Sequence, residues 1–267
     1  FQTLPVIAAG AAVGGKKESE GPLAAEFDEL SADNRFGQSS WEAAEKYLQL
    51  RAARLCLQKA ALPQEKVQLA LAGDLQAQCT ASSYAMRELG VPFAGLFGAC
   101  STMAEALGVG ACLCSAGMAD GLLAMTSSHF CAAERQFRTP LSYGAVRTPT
   151  AQWTATAAGA CLLRPAGEGV QLCAVTFGRV QDYKIKDINN MGAAMAPAAA
   201  ATLLRYLKDT GSAPEDFDRI YTGDLGHVGS QLLRDLLAAE GLLLKNHVDC
   251  GCILYDATEQ TVKSGGS

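Results

Sequence analysis

The sequence has few charged, aromatic and histidine residues. Charged side chains account for 18% of its 267 residues and aromatic side chains for 7%, and there are 3 histidines. The 22 lysines and arginines are spread along the chain, and the net charge is −5. No basic block stands out, so the sequence argues against nucleic-acid binding, which depends on clustered positive charge.

Long apolar runs and zinc-type cysteine spacings are also missing. The longest weakly polar run, residues 191–204, is mostly alanine and contains Pro197, so we expect no membrane-spanning helix, and we expect no signal peptide. The pairs Cys112–Cys114 and Cys250–Cys252 have one intervening residue, whereas zinc sites use a longer spacing. We therefore expect no metal site and no resident cofactor.

The sequence is rich in apolar residues. Hydrophobic residues make up 49% of the sequence, and its 10 cysteines lie mostly in apolar stretches, where a thiol acts as a small hydrophobic group. This usage is typical of a reduced, intracellular protein rather than a disulfide-bonded secreted one. The length allows a substantial core, and the apolar surface predicts an oligomer or a partner-bound protein.

The chain also contains an internal repeat. The segment LQKAALPQEKVQLALAGDL (57–75) aligns without gaps with LKDTGSAPEDFDRIYTGDL (207–225), and both end in Gly-Asp-Leu. Each copy shows the pattern of a helix, a proline-containing loop, a short strand, the Gly-Asp-Leu turn and a second helix. In the first copy the predicted first helix spans 41–61, the strand 67–72 and the second helix 81–89. In the second copy the first helix spans 195–210, the strand 219–222 and the second helix 230–240.

This repeat predicts an α/β fold made of two duplicated αβα halves, residues 1–165 and 166–267. The first half also has a glycine-rich stretch at 93–99 and a predicted helix at 101–117. A predicted strand at 121–126, a long polar segment at 130–152 and a further strand at 154–163 follow. The polar segment has no repeat counterpart, and loops of this length are usually functional. After a predicted strand at 252–255 the second half lacks its last helix and strand, so we expect it to be incomplete in this chain.

Cys100 is the first candidate site residue. It lies at a predicted helix start, where the helix dipole and unpaired N–H groups favour the thiolate. It is a nucleophile, a residue that lines a pocket, or one structural thiol among ten. A nucleophile needs a base, and the candidates are His129 at a strand end and His227 after the second Gly-Asp-Leu turn; both also suit structural roles. We expect His247, in a polar stretch, to be solvated.

Two further stretches, ERQFRTP (134–140) and RTPTAQWT (147–154), combine guanidinium, amide, hydroxyl and indole groups. Arginine binds carboxylates through paired hydrogen bonds, and tryptophan offers a flat stacking surface. The set suits a small aromatic carboxylate. A surface loop whose arginines pair with Glu134 or face a second subunit fits the same residue types.

Four stretches carry a family resemblance: GLFGACSTMAE (95–105), SSHFCAAERQFR (127–138), RTPTAQWT (147–154) and DCGC (249–252). With the repeat, they resemble the thiolase and ketoacyl-synthase superfamily, and within it the stage V sporulation protein AD family of endospore-forming bacteria. The resemblance covers essentially the whole chain. It implies a thiolase-like, layered αβαβα fold and a non-catalytic relative of condensing enzymes.

The resemblance also implies a ligand and partners. The ligand is dipicolinic acid (pyridine-2,6-dicarboxylate), alone or with calcium, on its way into the developing spore. The implied state is a homodimer paired through strand 121–126, peripheral to the spore inner membrane and in contact with membrane-bound proteins of the same transport assembly. The residues expected to bind the ligand are Cys100, Ser101, His129, Arg138, Arg147, Gln152, Trp153, Asp224 and His227.

The resemblance includes departures from the catalytic pattern. Cys100 falls on the superfamily's nucleophile, but Asp224 stands where condensing enzymes carry a catalytic histidine, and their last glycine-rich active-site loop would begin at 264–267. These differences predict that the chain is not an enzyme. Two alternatives are a condensing enzyme that acts on acyl-CoA or acyl-carrier protein through Cys100, and a scaffold that organises membrane partners.

Overall fold

The computed structural model describes residue 1, residues 3–137 and residues 147–267. These residues form two compact units that alternate along the chain. The first lies within Phe1–Glu20, Ala24–Tyr143 and Thr154–Val175, and the second within Gly21–Leu23, Gly144–Trp153 and Thr176–Ser267. The boundary expected between repeat halves, after residue 165, stays a prediction.

The first unit is built on a seven-stranded mixed sheet. Its strands are β1 (Val6–Gly14), β2 (Glu29–Leu30), β3 (Leu69–Gly73), β4 (Phe93–Gly95), β5 (Leu122–Ser128), β6 (Ala157–Arg164) and β7 (Val170–Gln171). The order across the sheet is β2-β1-β6-β5-β3-β4, with β7 also paired to β1. Because β5 pairs with β3 on one side and β6 on the other, the implied pairing of strand 121–126 with a second subunit is excluded. The strand at this edge of the sheet is β4.

The described helices of the first unit are α1 (Lys16–Ser19), α2 (Trp41–Lys59), α3 (Thr80–Leu89), α4 (Thr102–Ser115) and α5 (Phe130–Phe137). Helix α2 begins where the Ser40 hydroxyl accepts the Ala43 N–H. Leu48, Ala52 and Cys56 recur at every fourth position and are fully buried. This stripe forms one core cluster with apolar residues of the sheet.

Helix α4 packs on the opposite face of the sheet. Leu122 and Ala124 of β5 belong to its cluster, whereas Leu123 and Met125 belong to the cluster of α2. Successive strand residues point to opposite faces, so the two helices cover β5 from both sides. Gly110 lets α4 approach closely, since a Cβ there would lie 2.5 Å from a methyl carbon of Leu163.

The second unit contains α6 (Met191–Thr210), β8 (Ile220–Thr222), α7 (Gly226–Ala239), β9 (His247–Asp249) and α8 (Cys250–Ile253). Strands β8 and β9 pair in parallel. Its core cluster includes Ala196 and Ala200 of α6 and Leu233 and Leu237 of α7. No helix in the described parts of the chain has the length and apolar character needed to cross a membrane.

The repeat predicted from the sequence is confirmed, with the same helix, strand, turn and helix in both units. Short 3-10 helices at Gln64–Lys66 and Pro214–Asp216 stand 150 positions apart, the offset of the aligned segments. Ala61 and Gly211, also 150 apart, both follow the preceding helix in a left-handed conformation, with φ of 48° and 67°. The predicted α/β class is correct.

Two local predictions fail. Residues 252–255 were expected to form a strand, but the strand lies earlier, at β9, where it pairs with β8. The chain then closes a helical turn in which the Leu254 N–H donates to the Cys250 carbonyl at 3.0 Å. The polar segment from residue 130 begins as helix α5, because the His129 carbonyl accepts the N–H groups of Ala132 and Ala133.

Candidate functional site

Cys100 lies in the 3-10 turn Ala99–Ser101 that leads into α4. Ala99 adopts a left-handed φ of 48°, which turns the chain sharply just before the thiol. Cys100 is partly buried, and Ser101 is exposed with its hydroxyl donating to the Gly98 carbonyl at 2.8 Å. The structure therefore places the thiol at a helix start, as predicted.

His129 follows β5 and is completely buried. Its Nε2 lies 2.8 Å from the carbonyl oxygen of Asn34, and its Nδ1 accepts the Cys131 N–H at 3.2 Å. These partners assign the proton to Nε2 and leave Nδ1 as an acceptor. Burial lowers the pKa of the imidazole, and the Trp41 ring packs against it at 5.4 Å. Since the backbone occupies both nitrogens, neither serves as a base in this arrangement, and ligand contact stays a prediction.

Arg147 and Trp153 form a cation–π pair in the second unit. The guanidinium carbon lies 4.7 Å from the centroid of the indole ring, and Nη1 donates to the Gln152 carbonyl. The Thr150 hydroxyl donates to the Asn189 carbonyl at 2.9 Å and holds the intervening turn. The structure thus brings two of the predicted ligand residues together. Arg138 lies outside the described residues.

Gln152 is buried between backbone groups. Its side-chain N–H₂ donates to the carbonyl oxygens of Asp224 and Gly266, the second at 3.0 Å. Its Oε1 is buried and has no hydrogen-bond partner among the residues that the structure describes. An unpaired buried acceptor costs about 1–3 kcal/mol, so this oxygen can gain from a ligand that brings a donor.

The segment 264–267 is packed against residues 151–153. The Trp153 N–H donates to the Gly265 carbonyl, and the Ser267 N–H donates to the Trp153 carbonyl, both at 2.9 Å. Gly265 has a φ of 100°, and a Cβ on it would lie 2.5 Å from the Gly251 carbonyl oxygen. Glycine is required here because two backbone segments approach closely in a conformation that other residues rarely adopt.

Asp249 is a residue that the sequence analysis missed. Its carboxylate, buried at the end of β9, accepts the Gly226 N–H on Oδ1 at 2.8 Å and the Leu225 N–H on Oδ2 at 3.0 Å. The Thr222 hydroxyl donates to the same Oδ2 at 2.6 Å. Its place directly after a strand and beside two cysteines was the signal available, but its partners are 23 or more residues away.

Asp224 and His227 flank the start of α7. The backbone carbonyl of Asp224 receives the Gln152 amide, and the backbone N–H of His227 donates to the Ser264 carbonyl at 2.8 Å. The imidazole of His227 is largely exposed. The second unit therefore joins Arg147, Gln152 and Trp153 to the chain around Asp224 and His227, whereas Cys100, Ser101 and His129 belong to the first unit.

A second buried polar network, not predicted from the sequence, lies at the end of β3. Glu45 accepts the Gln76 side-chain amide at 2.6 Å and the Ser127 hydroxyl at 3.1 Å. Asp74, in the first Gly-Asp-Leu turn, accepts the N–H and hydroxyl of Ser82 at 2.8 and 2.6 Å. Burial raises the pKa of Glu45 to about 8, and the neighbouring Asp74 carboxylate contributes to this rise. Glu45 is accordingly a protonated acid at neutral pH.

The sequence profile of the Stage V sporulation protein AD (SpoVAD) family matches residues 1–267. This chain belongs to that family. Stage V sporulation protein AD of Bacillus subtilis (strain 168) is 42% identical over 263 residues, which cover 98% of this chain and 77% of the relative. The resemblance to this family is therefore correct.

Solved structures of condensing enzymes share the fold of this SpoVAD chain. The 3-oxoacyl-[acyl-carrier-protein] synthase III of Aquifex aeolicus superposes with a TM-score of 0.62 at 13% identity, over 99% of this chain and 86% of the enzyme. The corresponding synthase of Pseudomonas aeruginosa gives 0.58 at 17% identity, over 99% and 85%. The predicted thiolase-like fold is correct, and at these identities the likeness concerns the fold alone.

Proposed function

We propose that this SpoVAD chain binds dipicolinic acid for its uptake into the developing spore and does not catalyse a reaction. The observation that carries the proposal is the pairing of Arg147 with Trp153 in a chain of this sporulation family. Dipicolinate is a planar dianion, so it needs cationic or N–H donors for two carboxylates and a flat surface for its ring. A guanidinium and an indole side by side supply both.

Gln152 extends the binding set in the second unit. It is held by two backbone carbonyls, so its position is fixed before a ligand arrives. Cys100, which the resemblance also implies for the ligand, belongs to the first unit, in the turn that leads into α4. A calcium ion chelated by the ligand itself would enter as cargo, with the ligand.

The occupied nitrogens of His129 support a non-catalytic role. A cysteine that carries an acyl group needs a base and an oxyanion site. His129 is engaged by backbone at both nitrogens, and the family resemblance implies Asp224 where condensing enzymes have a histidine. Acyl transfer through Cys100 remains the alternative, and the condensing-enzyme fold is the observation that favours it.

We further propose a homodimer that associates with the spore inner membrane through membrane-bound partner proteins. In the described sheet β5 is an interior strand and β4 lies at one edge, so we propose that pairing with a second copy uses β4 rather than β5. The 49% hydrophobic composition is in line with such a buried surface.

The test is calorimetric titration of dipicolinate, with and without calcium, into the purified protein. We expect saturable binding, weakened about tenfold by Arg147→Ala, since a charge-assisted hydrogen bond contributes about 1.5–3 kcal/mol. Arg138→Ala, which changes the other predicted arginine, is measured in parallel. Arg205→Ala is the control because Arg205 pairs with Asp209 on the exposed side of α6. Absence of binding at millimolar dipicolinate would refute the proposal.

Incubation with acyl-CoA donors, followed by mass spectrometry of the Cys100 peptide, tests the alternative. We expect no stable acyl adduct. An adduct that disappears in Cys100→Ser and turns over would establish the condensing-enzyme function instead.

A further inference from the structure

A cavity of about 280 Å³ lies beside α7 in the second unit. The α7 cavity is lined by His227, Ser230 and Arg234 on one face of that helix, and by His247, Asp249 and Cys252 from β9 and α8. It contains neither Arg147 nor Gln152. His227, which the resemblance implied for dipicolinate, therefore lines a cavity to which that pair does not belong.

Arg234 gives the α7 cavity its positive charge. The guanidinium is partly buried and forms no ion pair with any acidic residue in the described parts of the chain. It donates to the neutral Gln231 side chain at 3.1 Å. A partly desolvated guanidinium without a carboxylate partner is suited to an anionic ligand.

Asp249 does not neutralise Arg234. Both of its oxygens are engaged, by the Leu225 and Gly226 N–H groups and by the Thr222 hydroxyl. Two of these donors are backbone N–H groups at the start of α7, and they stabilise the negative charge of the carboxylate. The cavity therefore holds Arg234 and the Asp249 carboxylate with no ion pair between them among the described residues, and the only partner of the guanidinium there is Gln231.

His247 presents an unusual second group. The single hydroxyl proton of Thr222 goes to Asp249 at 2.6 Å, so the Thr222 oxygen accepts from His247 Nε2–H at 2.8 Å. Nδ1 is then an acceptor, and it is buried without a hydrogen-bond partner among the described residues. His247 was expected to be solvated, but the ring is partly buried, with Nε2 bonded to the Thr222 hydroxyl and Nδ1 inaccessible to solvent.

We propose that the α7 cavity binds a phosphate group, free or as a monoester, with Arg234 on its anionic oxygens and a P–OH group donating to His247 Nδ1. Inorganic phosphate carries both features at neutral pH, and a phosphomonoester carries both in its monoanion, whereas sulfate lacks the proton. Ser230 and His227 line the same space. The Ser230 hydroxyl is hydrogen-bonded with Cys252 Sγ at 3.6 Å, and the His227 ring is a donor for a further oxygen of a tetrahedral anion. No three metal-binding side chains converge in the described residues, so a cation is not the better occupant.

The experiment compares inorganic phosphate, glycerol 2-phosphate, sulfate and acetate by calorimetry in a buffer free of these anions. We expect phosphate or its monoester to bind at least about tenfold more tightly than sulfate and acetate, which lack the donor or the tetrahedral oxygens. Tighter binding of the ester than of phosphate would identify a phosphomonoester as the occupant. Equal affinities for phosphate and sulfate, or no binding of either phosphate compound, would overturn the proposal.

Variants locate the site. Arg234→Gln keeps the contact with Gln231 and removes the charge, and we expect about a tenfold loss of phosphate affinity; Arg205→Gln on α6 leaves it unchanged. Phosphate should also shift the ¹⁵N resonance of His247 Nδ1, and sulfate should not. Unchanged phosphate affinity in Arg234→Gln contradicts the proposal. Because Arg234 lies outside the set proposed for dipicolinate, this result is independent of dipicolinate binding.

Discussion

The Asp249 carboxylate accepts the backbone N–H of Gly226 at 2.8 Å and so caps helix α7 from a strand 23 residues further along the chain. The residue at the helix start, Leu225, has no side chain able to accept these N–H groups. Asp249 supplies the missing acceptor and also receives the Thr222 hydroxyl. One buried carboxylate thereby fixes the ends of β8 and β9 and the beginning of α7.

Asp249→Asn should lower the free energy of unfolding by about 2–3 kcal/mol, because the amide nitrogen would face a backbone N–H that it cannot pair with. Urea unfolding followed by circular dichroism measures the change. Asp235→Asn, on the exposed side of α7, is the matched control and should stay close to the wild type. A loss in Asp249→Asn no larger than in the control would contradict this capping role.

The repeat yields a pair of opposite predictions at Ala61 and Gly211. Both residues are left-handed, but Ala61 carries a Cβ in that conformation, which costs about 1–2 kcal/mol, against the 0.5–1 kcal/mol that glycine loses in chain entropy. Ala61→Gly should therefore raise the unfolding free energy by roughly 0.5–1 kcal/mol, and Gly211→Ala should lower it similarly. A Cβ on Gly211 meets nothing within 4 Å, so conformational strain alone is measured. Changes of the same sign in both variants would rule this account out.

The sequence predicted helices and turns well where the pattern that indicates them lies within a short stretch of residues. The four-residue spacing of Leu48, Ala52 and Cys56 marks α2, and the two Gly-Asp-Leu turns mark the repeat. The two turns nevertheless work differently. Asp74 binds Ser82 of its own following helix, whereas in the second turn this capping falls to Asp249. A periodic sequence pattern does not predict this difference in capping, because the difference depends on which strand end lies beside the helix.

The candidate site was predicted in its residue types more than in its contacts. Arg147 and Trp153, six positions apart, were predicted from the sequence as ligand residues, and the structure pairs them. The burial of His129, and the engagement of both its nitrogens by Asn34 and Cys131, could not be read from the chain, since Asn34 is 95 positions away. The burial of Glu45 was not predicted for the same reason, since Glu45 is a polar residue inside an amphipathic helix.

Glu45 should make stability depend on pH. Its pKa is about 8 in the folded state and 4.5 in the unfolded reference, so the folded protein holds a proton that the unfolded chain releases between these values. The free energy of unfolding should therefore fall as pH rises from about 5 to 8, by up to about 1.4 kcal/mol per pH unit. Glu45→Gln, an isostere of the protonated acid, should flatten this decline. Glu88→Gln, at an exposed ion pair, is the control, and a wild-type decline that persists unchanged in Glu45→Gln would contradict the assignment.

We expect His129 to be protonated only at a lower pH than an ordinary imidazole, and to exist as one neutral tautomer. Burial lowers its pKa from 6.5, so the folded ring stays neutral at a pH where the unfolded ring takes up a proton, and its contribution to stability is lost as pH falls. In ¹⁵N-detected spectra we expect a protonated Nε2 and an unprotonated Nδ1 at pH 7, with a second proton taken up only below the ordinary imidazole pKa of 6.5. His129→Phe should identify the signal by its loss, and it should also destabilise the fold, because the Asn34 carbonyl and the Cys131 N–H would lose their partners. A ring that is doubly protonated near pH 6.5, or that carries its proton on Nδ1, would show that the backbone does not hold it as described and would return His129 to the candidates for a base.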